Sequence, residues 1–169
     1  MEVDNNTQRF LEAYDLFADG LYRHAIFRVS NADTATDIVQ ETFTRTWEYL
    51  SKGNHVDEFK PFLYRTLHNL VIDHYRKRKP VVSIDELALN GFDVEGAGRE
   101  EEEIRIDATL LLELLDDLEE KDKNVLLLRY IDDLSIEEIA GITDEKQNAI
   151  SVRIHRALKK LKKIHDERN

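Results

Sequence analysis

The sequence predicts an all-α protein, with two small helical domains joined by an acidic flexible linker. Only 6 of the 169 residues are glycine and 2 are proline, while 41% are hydrophobic and 35% are charged, a composition typical of soluble proteins with long helices. Apolar residues recur at helical spacing in two blocks, and no stretch alternates as a strand would. Between the blocks the period fades across a glycine-containing segment that includes the acidic run Glu100–Glu103. These changes predict domains at 1–80 and 107–169 and a linker at 81–106.

The composition also excludes several classes of function. With no cysteine, the chain has no disulfide, no thiolate nucleophile and no cysteine-ligated zinc. The first residues, "MEVDNNTQRF", lack the apolar core of a signal peptide, and no apolar run reaches the length of a membrane span. We therefore expect a cytoplasmic protein that does not insert into membranes.

Three helices are predicted in the N-terminal domain. The first covers residues 7–29, where apolar side chains follow a helical period. The second begins at a cap formed by Asp33 or Thr34 and ends near residue 50. The third covers residues 57–79 and ends there because Pro80 cannot continue a helix.

The second helix has an apolar side and an acceptor-rich side. The side predicted to be buried consists of Ile38, Val39, Phe43, Thr46, Trp47 and Leu50. The opposite side carries Asp37, Gln40, Glu41, Thr44 and Glu48. Such a stripe is usually a solvated helix face, and the alternative is a docking surface for a basic partner. Asp37 and Glu41 lie one turn apart, but no Glu-x-x-His motif accompanies them, so we predict no metal site.

The third helix carries polar side chains suited to nucleic acid. Its buried side is predicted to be Phe59, Leu63, Leu67, Leu70 and Val71. The other side presents Arg65, His68, Asn69, Ile72, Asp73, Arg76 and Lys79. Asparagine suits a base edge and arginine a phosphate or a base, and the nearby aromatic residues Phe62, Tyr64 and Tyr75 are candidates for stacking on an unpaired base. The alternative is a plain amphipathic helix that ends in a basic tail. His68 and His74 point to different sides, which disfavours a metal site or a catalytic dyad.

Helical periodicity returns at residue 107 and continues in four segments, at 107–118, 124–130, 135–140 and 147–164. Ser135 followed by Glu138 is a capping box, and "GITD" makes a corner after the short helix that this box begins. Asp144 and Gln147 are a candidate second cap pair.

The last helix combines an apolar stripe with a basic face. The predicted stripe is Ile150, Ile154, Ala157, Leu158, Leu161 and Ile164. The opposite side carries Asn148, Ser151, Val152, His155, Arg156, Lys159 and Lys163, with Arg153 and Lys160 on its flank. A basic helix placed second across a short corner has the chemistry of a helix-turn-helix recognition helix, whose polar side chains reach base edges while its cations meet phosphate. The alternative is a terminal helix whose lysines only offset the helix dipole.

These residues resemble the extracytoplasmic-function (ECF) group of the bacterial sigma-70 family. The segment "DTATDIVQETFTRTW" resembles region 2.2, and "FLYRTLHNLVIDHYRKRK" resembles regions 2.3 and 2.4, with Asn69, Asp73, His74 and Arg76 at matching positions. The segments "LEEKDKNVLLLRYIDDLSIEEIA" and "SVRIHRALKKL" resemble region 4. The three blocks occur in the family's order and spacing, and the resemblance covers nearly everything outside the linker.

The resemblance implies an RNA polymerase sigma factor that directs promoter-specific transcription initiation and is not an enzyme. Binding to the β′ clamp of core RNA polymerase is implied for Asp37, Gln40, Glu41 and Thr44. The loop Lys52–Glu58 and the third helix would open the −10 element and hold a flipped base, with contacts from Arg65, His68, Asn69, Asp73 and Arg76. Contacts to the −35 element are implied for Asn148, Ser151, Val152, Arg153, His155, Arg156, Lys159 and Lys160.

Further partners follow from the same resemblance. The C-terminal domain would contact the β flap, the linker would thread toward the RNA exit channel, and an anti-sigma factor would hold the protein inactive. We expect no cofactor and no small-molecule substrate. Since basic charge is predicted where DNA lies and acid on the linker and the polymerase-binding surface, the net charge of −11 is a poor guide to the partner.

One departure from the family concerns the corner of the helix-turn-helix. The family commonly has glycine followed by an apolar residue there, whereas this chain has Asp144 and Glu145. The base-contacting positions of the family correspond to Ala149, Ser151 and Val152, which are poor hydrogen-bond donors. Specificity is therefore expected to depend more on Arg153, His155, Arg156 and DNA shape.

Two other functions are compatible with parts of the sequence. A stand-alone helix-turn-helix regulator would bind duplex DNA without polymerase, usually as a dimer. A carboxylate-metal hydrolase would use Asp37, Glu41 and Glu100–Glu103, but exposed acids in a glycine-containing linker form a poor metal cage.

Overall fold

A computed structural model of the chain describes residues 4–78 and 108–169, which form two compact units. The described residues contain helices and no strand, which confirms the all-α prediction. We call 4–78 the N-terminal module and 108–169 the C-terminal module. The predicted linker lies outside the described residues, and the domain boundaries stay a prediction.

The N-terminal module is built from three helices that all pack on one another. They are α1 (Asn5–Val29), α2 (Ala32–Ser51) and α3 (Phe59–Arg78). Their apolar stripes meet in a core that includes Leu21, Ala25, Phe43, Leu63 and Leu67. All five residues predicted for the buried side of α3 are buried. The predicted end of α3 at Lys79 and Pro80 lies outside the described residues.

The start of α2 differs from the prediction. Asn31 forms the cap, and its side-chain oxygen accepts a hydrogen bond from the Thr34 amide at 2.9 Å. Ser30 adopts a left-handed conformation (φ 55°) that ends α1, so the chain is already extended at Asn31 (φ −143°) and ready to cap. The predicted caps, Asp33 and Thr34, are therefore wrong because both lie inside the helix.

Trp47 is a second correction. It was predicted to be buried, yet 41% of the residue is exposed. Its ring lies at the edge of the α1–α2 contact, 5.1 Å from the ring of Phe10. The apolar stripe of α2 is wider than the surface that α1 and α3 cover, so the outermost aromatic side chain stays partly in solvent.

The C-terminal module contains four α-helices. They are α4 (Ala108–Leu114), α5 (Glu120–Leu126), α6 (Ile136–Thr143) and α7 (Gln147–Arg168). A 3₁₀ turn follows α4, and a π-helical turn at Leu127–Ile131 extends α5. The core is aliphatic, with Leu111, Leu126, Leu127, Ile139 and Ile150 almost completely buried. The predicted helix at 107–118 is thus shorter, while those at 124–130 and 147–164 begin earlier or end later than expected.

The corner between α6 and α7 is made by aspartate in a conformation that glycine usually adopts. Ser135 caps α6 as predicted, accepting a hydrogen bond from the Glu138 amide at 3.1 Å. Asp144 is wrong as a cap of α7, because it is left-handed (φ 57°) and ends α6 instead. The amides of Asp144 and Glu145 both donate to the carbonyl of Ala140, as in a Schellman ending. Lys146 precedes α7 without any side-chain capping bond.

We expect D144G to stabilise the C-terminal module by roughly 0.5–1 kcal/mol and D144A to destabilise it by a similar amount. Both variants remove the same carboxylate, so their difference isolates the left-handed backbone. Hydrogen exchange of the α6 and α7 amides in the full chain measures it. Equal protection in the two variants would contradict the conformation assigned to Asp144.

Candidate nucleic-acid and polymerase interfaces

The exposed side of α7 is a basic face opposite its buried stripe. The predicted stripe is confirmed for Ile150, Ile154, Ala157, Leu158 and Leu161, while Ile164 is half-buried. Arg156, Lys159 and Lys163 lie exposed on the opposite side. Lys163 has only a long, exposed contact of 4.0 Å with Glu167. No ion pair joins Arg156 or Lys159 to an acid in the part of the chain that the structure describes. This face can therefore offer cations to phosphate.

Two other cations of α7 are held by acids of the same module. Lys160 Nζ lies 2.8 Å from Asp122 Oδ2, and Arg153 lies 3.8 Å from Asp122 Oδ1 and 3.1 Å from Glu145 Oε2. The Asp122 side chain is 7% exposed and that of Arg153 18%, so both are largely shielded from water, whereas the Lys160 side chain is 53% exposed. The hydrogen bond that Lys160 donates to the Asp122 carboxylate raises the pKa of Lys160 above its usual 10.5. We call Asp122, Glu145, Arg153 and Lys160 the ion-pair cluster.

Two residues predicted to contact DNA, Arg153 and Lys160, belong to the ion-pair cluster. Arg153 and Lys160 are two helical turns apart, which places both at the border of the buried stripe, facing α5. Their charges are compensated within the module, and the buried Nε of Arg153 has no hydrogen-bond partner in the described residues. Both cations form ion pairs with Asp122. Sequence reasoning missed this aspartate, because no local signal connects it to residues so far along the chain.

The remaining residues predicted for the −35 element lie along the same exposed side of α7. Asn148 and Ser151 are exposed near the start of the helix. Val152 and His155 are partly exposed between them and the basic face. The start of the helix is therefore nearly uncharged, and the cations follow it.

On α3, four of the residues predicted for the −10 element share one exposed side. Arg65, Asn69, Asp73 and Arg76 are all exposed and recur at helical spacing. This arrangement combines donors and acceptors for base edges with cations for phosphate.

The aromatic residues around α3 are not all available for stacking. Tyr64 is 3% exposed and packs against Gly20, where a Cβ atom would lie only 3.0 Å from the tyrosine oxygen. Tyr75 is half-buried, and its hydroxyl donates to the backbone carbonyl of Arg28. Phe62 is half-buried, with its ring 5.1 Å from that of Tyr49. Tyr64 is thus a core residue, and Phe62 and Tyr49 are the pair nearest to solvent.

His68 lies apart from the exposed side of α3. The residue is largely buried, and its pKa falls from 6.5 to about 3 because burial disfavours the charged ring and because Arg28 and His24 add repulsion. The imidazole is therefore neutral at pH 7.

The loop Lys52–Glu58 connects α2 to α3 and is held at several points. Val56 is 2% exposed, and the Asn54 side chain donates to the carbonyl of Tyr49 at 3.0 Å. Gly53 has φ 84°, which permits the chain to turn away from α2. Arg9 of α1 contacts the far end of the loop, and sequence reasoning missed it because no local pattern links the two.

The acceptor-rich stripe of α2 has the predicted placement. Asp37, Gln40, Glu41, Thr44 and Glu48 are all exposed. Glu41 accepts a hydrogen bond from Arg45 at 2.8 Å, but both side chains are about half exposed, so the pair contributes little and can exchange partners. The stripe is therefore an accessible acidic surface.

The described residues contain no group of three or more histidines and acids placed to hold a metal ion. Among the helices of 4–78 and 108–169, none is both long enough and apolar enough to cross a membrane.

Both modules match models of known protein families. Residues 13–81 match the family model for Sigma-70 region 2, and residues 108–161 match that for Sigma-70, region 4. The chain is 34% identical over 138 residues to the RNA polymerase sigma factor SigV of Bacillus subtilis (strain 168), covering 82% of this chain and 80% of that protein. It is 32% identical over 163 residues to the ECF RNA polymerase sigma factor SigW of the same organism, covering 91% and 87%.

Two solved structures share the fold. One is the sigma factor RpoE in complex with the anti-sigma factor NepR from Bartonella quintana, with a TM-score of 0.67, 23% identity, and coverage of 93% of this chain and 98% of that one. The other is CnrH in complex with the cytosolic domain of CnrY, with a TM-score of 0.69, 22% identity, and coverage of 98% and 92%.

The buried state of His68 predicts an acid-sensitive N-terminal module. The unfolded chain takes up a proton near pH 6.5 and the folded chain only near 3, so stability is full above 6.5 and falls as the pH drops between these values. The loss is about 2 kcal/mol at pH 5. Urea unfolding followed by the fluorescence of Trp47, the single tryptophan, measures it. H68Q should flatten the pH dependence, while H55Q, at an exposed position, should retain it; an unchanged slope in H68Q would contradict the burial.

Proposed function

The chain belongs to the sigma-70 family, in its ECF group, as an RNA polymerase sigma factor that directs promoter-specific initiation, and we propose which of its surfaces bind polymerase and which bind promoter DNA. The observation that carries the proposal is the separation of charge within each module. In the N-terminal module the acidic stripe lies on α2 and the exposed arginines lie on α3, and in the C-terminal module exposed cations line one side of α7, so each face can meet a different partner.

Core RNA polymerase is assigned to the stripe on α2. Asp37, Gln40, Glu41 and Thr44 are exposed together on one side of a helix whose other side is core. Their carboxylates and amide suit a basic, hydrogen-bonding partner, and the β′ clamp is the partner that the family resemblance implies. The partly exposed Trp47 lies on the same helix and can add apolar contact at the edge of the docked surface.

The −10 element is assigned to α3 and the loop Lys52–Glu58. Arg65, Asn69, Asp73 and Arg76 form the face toward DNA, because they are exposed and combine phosphate-binding with base-reading chemistry. His68 is not assigned to the face toward DNA. Its neutral, largely buried ring instead contributes to packing beside Arg28.

The −35 element is assigned to α7. Asn148, Ser151 and Val152 lie at the end of the helix that enters a major groove in the helix-turn-helix geometry, and His155, Arg156 and Lys159 follow. Arg153 and Lys160 are assigned to positioning, because Asp122 and Glu145 already satisfy their charges. DNA contact by α7 therefore depends on fewer cations than the sequence shows.

Four further assignments complete the proposal. The C-terminal module contacts the β flap, the protein acts in the cytoplasm, and it has no catalytic activity of its own. We also propose an anti-sigma factor as a partner, since the two solved structures that share the fold are complexes of a sigma factor, RpoE or CnrH, with NepR or CnrY.

The two interfaces should respond to different substitutions. R156A should lower run-off transcription from a promoter used by the wild-type holoenzyme by about tenfold, while core binding stays unchanged, because a DNA contact is lost. The double variant D37A/E41A should weaken core binding by about tenfold, because two exposed carboxylates leave the docking surface. Fluorescence anisotropy of labelled full-length protein with core polymerase separates binding from transcription.

The reciprocal pattern is the control. Equal loss of core binding and promoter use in R156A would contradict the assignment of α7. Full core binding in D37A/E41A would contradict the docking role of α2.

A further inference from the structure

We propose that Arg9 is a positioning residue for promoter opening, one that holds the loop Lys52–Glu58 in the shape that meets the −10 element. This inference rests on the proposed function of the loop and extends it to a side chain at the other end of the module. Arg9 precedes residues 13–81, the part of the chain that matches region 2.

The contacts of Arg9 join the start of α1 to the end of the loop. One guanidinium nitrogen donates to the carbonyl of Val56 at 2.9 Å and to that of Asp57 at 3.0 Å, across a sequence separation of 47 and 48 residues. The guanidinium carbon also lies 5.3 Å from the centre of the Phe59 ring, within the range of a cation–π contact. Hydrogen bonds from a charged donor are stronger than neutral ones, and the planar guanidinium fixes their direction.

These bonds control the direction of the loop because they involve consecutive carbonyls. The orientation of each carbonyl sets the dihedral angles of the residues around it, and hence where the neighbouring side chains point. The near end of the loop is held by the bond from Asn54 to Tyr49, and its middle by the buried side chain of Val56. Arg9 supplies the remaining anchor, at the junction with α3.

The side chains that this arrangement presents are the polar ones. Lys52, Asn54, His55, Asp57 and Glu58 are all exposed. His55 and Asp57 lie 3.2 Å apart, so their mutual orientation depends on the same backbone that Arg9 holds. A loop that recognises single-stranded DNA needs its hydrogen-bond donors and acceptors in place before the base binds. Ordering a mobile loop on binding would instead cost free energy.

A positioning role also fits the exposure of Arg9 itself. The residue is only partly buried and lies in the second turn of α1, at the edge of the core, where it contacts the ring of Phe59. Its loss should therefore release the loop while leaving the three-helix core and the α2 stripe intact.

The test uses holoenzyme assembled from the full chain and a library of duplex promoters with a fixed −35 element and a randomised −10 element. Sequencing of run-off transcripts gives the preference for each base at each position. R9M keeps the length of the side chain and removes every donor, R9K keeps the charge and one donor nitrogen, and R23M removes an exposed arginine from the same helix.

We expect R9M to reduce the preference for the best over the worst −10 base by about tenfold, because the loop is no longer preordered. R9K should retain an intermediate preference, and R23M should equal the wild type. Core affinity should be unchanged in all three, and so should preference in a parallel library that randomises the −35 element. Hydrogen exchange in the free full-length protein should be faster at residues 56–58 in R9M, intermediate in R9K and unchanged in R23M.

The outcomes distinguish this inference from the proposed function. A wild-type preference at the −10 positions in R9M, or unchanged exchange at the loop, would overturn the role of Arg9 while leaving the function intact. If R9M also lost core affinity and −35 preference to the same extent, Arg9 would have a general structural role, and the positioning role would be overturned as well. Absence of any −10 preference in the wild-type holoenzyme would instead refute the proposed role of the loop, and the exchange measurement would still decide whether Arg9 holds it.

Discussion

The DNA-binding side of this protein depends on the ion pairs that the buried carboxylate of Asp122 makes with α7. The carboxylate binds Lys160 directly and draws in Arg153, so that α7 is held against α5 at one fixed rotation. Rotation decides which side chains of a helix face outward, because neighbours along the chain are separated by about 100°. Arg153 and Lys160 are paired with acids of the module, whereas Arg156 and Lys159 lie exposed and are available to a phosphate. Such a pair also carries a desolvation cost, which makes it a device for specifying geometry more than for adding stability.

The same separation of charge explains how a chain of net charge −11 can be a DNA-binding protein. Salt screens charges over about 8–10 Å, so a phosphate responds to the face in front of it and not to acids on the far side of the module. In the N-terminal module α2 presents carboxylates while α3 presents arginines, on one three-helix core. The loop between these helices belongs to neither face, and its shape depends on contacts from α1. The core thus serves as a frame that keeps an acidic and a basic surface apart.

Sequence patterns were sufficient where a local signal had a single interpretation. The period of Ile150, Ile154 and Leu161 predicted the buried stripe of α7, and the spacing of Ser135 and Glu138 predicted the start of α6. Local signals failed where several neighbouring residues could do the same task. Capping of α2 had more than one candidate, and Asp144, a good cap by residue type, was used instead to end α6.

Features that depend on tertiary packing could not be predicted. Nothing near Lys160 in the sequence distinguishes it from Lys159, and only the position of Asp122 across the module does so. Likewise, the burial of Tyr64 follows from the space left by Gly20 on another helix. The folds and the exposed faces of α2, α3 and α7 were therefore readable from the sequence, while the ion pairs of Arg153 and Lys160 and the burial of Tyr64 required the structure.

Adjacent lysines of α7 provide the most direct test of this account. The affinity of holoenzyme for a promoter duplex is measured across a range of salt concentrations for K159Q and K160Q, each of which removes one charge. K159Q should lower the slope of log affinity against log salt by about 0.9, because one phosphate contact is lost, whereas K160Q should leave the slope unchanged. Equal reductions in the two variants would contradict this assignment of Lys159 and Lys160.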